Sequence, residues 1–110
     1  MNLDDLTSRA TQIKDLYSKL NASNKSRKWT PADYAQGFVG DVGDLLKIIM
    51  AKDGIREMED VDARLKHELA VCLWSVLVLA NVYDIDLEVE FKNTMDRLEE
   101  RISTKLLLNK

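Results

Sequence analysis

The stretch "GFVGDVGDLLK", residues 37–47, holds three of the chain's four glycines and two aspartates, and whether it is loop or helix decides the fold. A phosphate-cradling loop of the Walker kind ends in Gly-Lys-Ser/Thr after a strand, whereas this run ends in Leu45, Leu46 and Lys47. A calcium loop needs oxygen ligands at alternating positions and a closing glutamate, a register that Asp41 and Asp44 do not provide. The helical reading fits instead. Phe38, Val42, Leu45 and Ile49 recur at steps of three and four, as the apolar stripe of a helix does.

Helix comes at a cost, because each interior glycine is about 1 kcal/mol worse than alanine. Gly37, Gly40 and Gly43 therefore call for an offset, and two are open. Either the glycines let another backbone or a ligand come close, beside Asp41 and Asp44 projecting together, or they only permit tight helix packing while both aspartates face water.

Working outward, Leu3, Leu6, Ala10, Ile13, Tyr17 and Leu20 mark a first helix over residues 3–20. The polar "NASNKSRKWT" (21–30) is a connection. Thr30 followed by Pro31 is an N-cap and first-turn proline, so the second helix is expected from there to about Lys52, with Gly54 ending it. A third covers about 61–83; between Leu69 and Ala80 its one conventionally polar residue is Ser75, so it is expected to be buried nearly all round. Asp84 or Asp86 caps a fourth, with Leu87, Phe91, Met95, Leu98, Ile102 and Leu106 in one stripe. No segment shows sustained alternation, and no internal repeat is visible.

The expected fold is all-α, a four-helix bundle-like domain over residues 1–110. Three amphipathic helices do not readily cover a helix that is apolar on most sides. Part of the third or fourth helix is thus expected to be buried by another subunit in a dimer or tetramer.

Bulk properties narrow the function classes. With 16 Lys and Arg against 19 Asp and Glu, the net charge of −3 argues against nucleic acid as the main partner. The one basic cluster, Lys25, Arg27 and Lys28, either meets a phosphate or, as is commoner, is a solvated loop. Cys72 is the only cysteine, so no intrachain disulfide forms, and its apolar neighbours make it a small core residue. No signal-like segment opens the sequence and no apolar run reaches the roughly 18–20 residues that span a membrane, so a cytoplasmic location without membrane attachment is expected.

Glu68 stands where the apolar run of the third helix begins. If the second and third helices pack antiparallel, Asp41, Asp44 and Glu68 converge. Three partly buried carboxylates repel one another, so either their pKa values rise or a hard cation joins them, and Mg²⁺ suits an all-oxygen site that keeps several waters. The alternative is that Glu68 only marks the exposed end of a core helix.

The order Asp41-x-x-Asp44, 23 intervening residues, then Glu68-x-x-Val71 on an apolar helix resembles the all-α nucleoside triphosphate pyrophosphohydrolases of the MazG-like superfamily, whose signature is E-x-x-E on one helix and E-x-x-D on the next. The matching helices carry "GFVGDVGDLLKIIMAKDG" and "HELAVCLWSVLVLANVYDIDLEVEF", and the similarity spans roughly residues 29–102. The resemblance implies a Mg²⁺-dependent (or Mn²⁺-dependent) attack of water on the α-phosphorus of a nucleoside triphosphate, releasing monophosphate and pyrophosphate. It implies Asp41, Asp44 and Glu68 as metal-binding catalytic residues. Two departures stand out: aspartates replace the glutamates of the first pair, and Val71 stands where the family has its last metal-binding aspartate. Such a chain is expected to be either a working or impaired pyrophosphohydrolase, or a catalytically silent nucleotide-binding or assembly protein of the same fold.

Candidate contacts to nucleotide are Lys47 for phosphate, Trp29 for stacking on a base, Ser75 by its register with Glu68, and Asn93 on the fourth helix. Lys52, Arg56, Lys92 and Arg97 are further cations within possible reach of phosphate. His67 is about 100° round the helix from Glu68 and is read as structural, and Trp74 as core.

Overall fold

The computed structural model describes residues 2–109 and is all-α: α1 (Leu3–Ser23), α2 (Pro31–Lys52), α3 (Val61–Val82) and α4 (Leu87–Leu108). Their starts follow from capping. The Asn2 side chain accepts the Asp5 backbone N–H while the Asp5 carboxylate accepts that of Asn2, and Thr30 and Asp33 make the same reciprocal pair at α2. Asp86, rather than Asp84, caps α4 by accepting the Val89 N–H. The Asp60 side chain makes no capping bond, leaving the start of α3 less secured.

Three helices end alike. After α1, α2 and α3 the chain turns through a left-handed residue, Lys25, Gly54 and Asp84 respectively. Each turn closes a backbone hydrogen bond across six residues: Ser26 N–H to Asn21, Ile55 to Met50 and Ile85 to Ala80, each at 2.8 Å. Glycine takes this conformation freely, but Lys25 and Asp84 do so at a steric cost.

α3 is the central element, packed along α2 and, less extensively, along α1. The core gathers Ala10, Tyr34, Leu77 and Val78, with Leu6, Trp74 and Val82 against it. The Trp74 Nε1–H donates to the Ala10 carbonyl at 3.1 Å, which fixes the indole between α1 and α3. Along α2 the row facing α3 is Tyr34, Phe38, Asp41, Leu45 and Ile48, and along α3 the answering row is Val61, Leu65, Glu68, Cys72, Ser75 and Leu79, none of them exposed. Each row is apolar except near its middle. There the two helices bring Asp41 and Glu68 together.

Two expectations need correcting. By length and composition α3 is apolar enough to cross a membrane, and it is not buried nearly all round: about 28% of its apolar stretch is buried, and Leu69 and Leu73 are exposed. The glycines do not form one cleared face. A step of three residues turns a helix by about 300°, so each glycine is some 60° round from the last. A Cβ placed on Gly37, Gly40 or Gly43 would meet nothing within 4 Å, so none serves a close approach within the chain. Gly40→Ala is accordingly expected to stabilise the protein by about 0.5–1 kcal/mol, raising the melting temperature by about 4 °C. Thermal unfolding checks this, and a lower melting temperature would mean that a neighbouring molecule lies against Gly40.

α4 stands apart. No residue of it is buried and it makes no extended packing with another helix; its first residue, Leu87, touches the core.

Candidate metal and nucleotide site

The convergence expected from the antiparallel arrangement is present. Asp41, Asp44 and Glu68 each offer a carboxylate oxygen, and the three oxygens lie within 4.8 Å of one another. Asp41 and Glu68 belong to the facing rows and are half-buried, while Asp44, three residues on from Asp41, is exposed at the rim. Around an octahedral Mg²⁺, oxygens stand about 3–4 Å apart, so closure by rotamer adjustment would bring three to ligand distance.

Burial pushes the Glu68 carboxyl above its ordinary value, the charges of Asp41 and Asp44 push it further, and a proton shared with Asp41 adds to this; only His67 acts the other way. Glu68 Oε1 is buried with no hydrogen-bond partner among the described residues. A carboxylate oxygen in that state is costly unless protonated or bound to a cation. The donor set and this orphaned oxygen both fit a hard divalent ion. Cys72, one turn on, is not part of it, since burial and then the neighbouring carboxylates raise its thiol pKa and keep it neutral.

A pH dependence follows. Glu68 binds its proton more tightly in the folded than in the unfolded chain, so its contribution to stability is fully present below about pH 4.5 and is lost as pH rises through the raised folded value. Without divalent cation, Glu68→Gln should match the parent in melting temperature near pH 4 and exceed it at pH 8. Adding Mg²⁺ at pH 8 should raise the parent and leave the variant unmoved. Parallel pH–melting curves for the two proteins would contradict the assigned environment.

The carboxylates lie between two cavities. One, of about 530 Å³, is walled by Tyr17, Trp29, Tyr34 and Trp74, with Asp41 and Ser75 at its side. Its size is that of a small-molecule pocket. The rings hold one another edge-on, with centroids 5.3 Å apart for Trp29–Tyr34 and 6.3 Å for Tyr34–Trp74. Trp29 owes its place to the loop before α2. Arg27 donates two hydrogen bonds to the Asp33 carboxylate, at 2.6 and 2.7 Å, tying the loop to the first turn of α2 and holding Asp33 well below the usual carboxylate range. Arg27 is thus a fastening rather than a free solvated cation. Gly37 lines the same cavity, where any side chain would narrow it, and Val71 gives it an apolar wall.

The second cavity, about 540 Å³, brings Lys47, Arg64 and His67 beside Asp44 and Glu68. Of the residues read from sequence, Trp29, Lys47 and Ser75 line one cavity or the other. Asn93 lines neither. It sits exposed on α4 with Lys92 and Arg97, and α4 does not pack over the site of its own chain. Lys52 is engaged with Asp62 at 2.5 Å.

Three residues escaped the sequence reading, the first being Tyr34 in the aromatic wall. His67 borders both cavities, contrary to a purely structural role, and Arg64 borders the second. Their signal was available: Arg64, His67 and Glu68 are spaced i, i+3, i+4 and so share one side of α3. The fold and site together define an all-α protein with a carboxylate triad between its two central helices. Comparison of the chain with protein-family models, with curated proteins and with solved structures gives no match.

Proposed function

We propose that the protein is a Mg²⁺-dependent nucleoside triphosphate pyrophosphohydrolase. The observation that carries this reading is the position of the triad, with an aromatic cavity on one side and a cationic one on the other. A nucleotide has the same order of parts: a flat base, then an α-phosphate, then two further phosphates. The base would stack among Trp29, Tyr34 and Trp74, an arrangement that accepts any base through its face. The β- and γ-phosphates would lie toward Lys47, Arg64 and His67. The α-phosphorus then comes beside the carboxylates.

Asp41, Asp44 and Glu68 would hold the ion, which when bound neutralises phosphate charge and acidifies a water. The protein's own part is positioning. Water oxygen bonds to the α-phosphorus, the bond from that phosphorus to the bridging oxygen breaks, and pyrophosphate leaves toward the cationic cavity. The proton of the water passes to a carboxylate oxygen of the triad that the ion leaves free. Release of pyrophosphate and monophosphate from a panel of triphosphates, with Mg²⁺ or Mn²⁺, tests the reading. No release from any of them would overturn turnover.

A second reading has its own observation in favour. Val71 lines the aromatic cavity where a fourth carboxylate would complete a two-ion site, and valine holds no metal. On that reading the chain binds nucleotide and ion without turnover.

A further inference from the structure

The chain exposes more surface than its size accounts for. Its accessible area is 8686 Å², against about 6,200 Å² for a compact monomer of this mass. Its radius of gyration is 17.9 Å and its longest extent 62 Å, where a compact domain of about 100 residues has a radius near 13 Å. The excess of roughly 2,500 Å² per chain is about three times what one partner contributes to a standard interface, and lies in the range of obligate dimers.

Much of the exposed surface is apolar, and beside a smaller patch of Leu16, Tyr17 and Leu20 on α1 two larger sources stand out. On α2, Val39, Val42, Leu46 and Ile49 are exposed, Val39 to 72%. On α3, Leu69 and Leu73 are exposed and Val76 and Ala80 continue their row half-buried. Each row lies roughly 90–100° round its helix from the row at the α2–α3 contact, and because the helices are antiparallel both rotations lead to the same side. That side is opposite the one holding α1 and the carboxylates. The other source is α4, whose stripe of Phe91, Met95, Leu98, Ile102 and Leu106 is exposed throughout. Within its own chain α4 makes no extended packing with another helix, and its stripe meets no apolar face there.

We infer that two copies of this chain exchange their fourth helices, each α4 lying on the apolar α2–α3 face of the other. Donor and acceptor match in length, since α2, α3 and α4 each have 22 residues, about 33 Å. Each chain has one of each, so a reciprocal exchange closes with two-fold symmetry and leaves neither face open. The inference is independent of the chemistry proposed for the carboxylates.

Sedimentation equilibrium of the full chain at micromolar concentration should give twice the 12.6 kDa of one chain. Ile102→Glu should weaken that association by about thirtyfold or more, as loss of a central apolar anchor does. The arrangement is read by placing a photo-reactive benzoyl-substituted phenylalanine at Phe91 and mapping the peptide it joins. Cross-linked product of doubled mass, joined within residues 35–49 or 69–80, is expected. A monomer, or doubled product joined to α1 or α4 of the other copy, would overturn the exchange. Because the photo-reactive ring replaces a side chain already 63% exposed, the single chain keeps its fold.

Discussion

Glu68→Gln should remove Mg²⁺-dependent pyrophosphate release by a hundredfold or more while leaving the helices intact. The glutamine keeps the shape of the side chain and loses its charge, so packing between α2 and α3 is preserved. What disappears is the negative charge facing Asp41 and Asp44, and the buried oxygen with no hydrogen-bond partner among the described residues is left as part of a neutral amide. Loss of an outer-shell partner already costs a metal site roughly 10–100-fold, and Glu68 would be a direct ligand. The variant also separates causes. Its higher melting temperature at pH 8, together with lost turnover and lost response to Mg²⁺, would show that the carboxylate is kept at the expense of stability. Undiminished turnover would remove Glu68, and with it the site as described, from the reaction. If the parent itself releases no pyrophosphate, the loss of the Mg²⁺-induced rise in melting temperature remains the readout for ion binding.

Val71→Asp is expected to act in the opposite direction. The new carboxylate would enter the cavity wall one turn beyond Glu68, on the side of Asp41. Without cation it adds a fourth negative group to a crowded site, and stability should fall by about 1–3 kcal/mol. Mg²⁺ should restore that loss and raise pyrophosphate release by at least about tenfold, the least that a well-placed carboxylate contributes to a reacting centre. Calorimetric titration should show more ion bound per chain than in the parent. If stability falls and Mg²⁺ restores neither stability nor activity, position 71 does not face the ion and the correspondence with the E-x-x-D pattern is mistaken.

Much of the fold could be read from the sequence because its signals are local. Thr30-Pro31 and Asp86 start helices where side-chain oxygens meet free N–H groups, and Gly54 ends one where the backbone turns left-handed. The meeting of Asp41 and Asp44 with Glu68 was also within reach, since spacing fixes the face and antiparallel packing fixes the partner. What could not be read depends on direction in space. Nothing in residues 83–86 announces whether α4 folds back over its own chain; it does not, and Asn93 stays outside the site. The glycine run misled for a related reason. A repeat of three looks like a row on paper but winds round the helix, so that Gly37 alone reaches the cavity.

Position 41 also bears on how the protein could change. On α2 it lies between Phe38 and Leu45 in the row that packs on α3, where leucine would extend the core and relieve the charge pressed against Glu68. Fold and chemistry make opposite demands on this one side chain. Trp29, Asp44, Lys47, Arg64 and His67 are exposed, where substitution is cheap for the fold, but here a single substitution toward a sturdier protein is also a step toward an inert one. Any search for stabilised variants that selects on thermal resistance alone will tend to drift that way, and only a screen that requires the ion will hold the carboxylate in place.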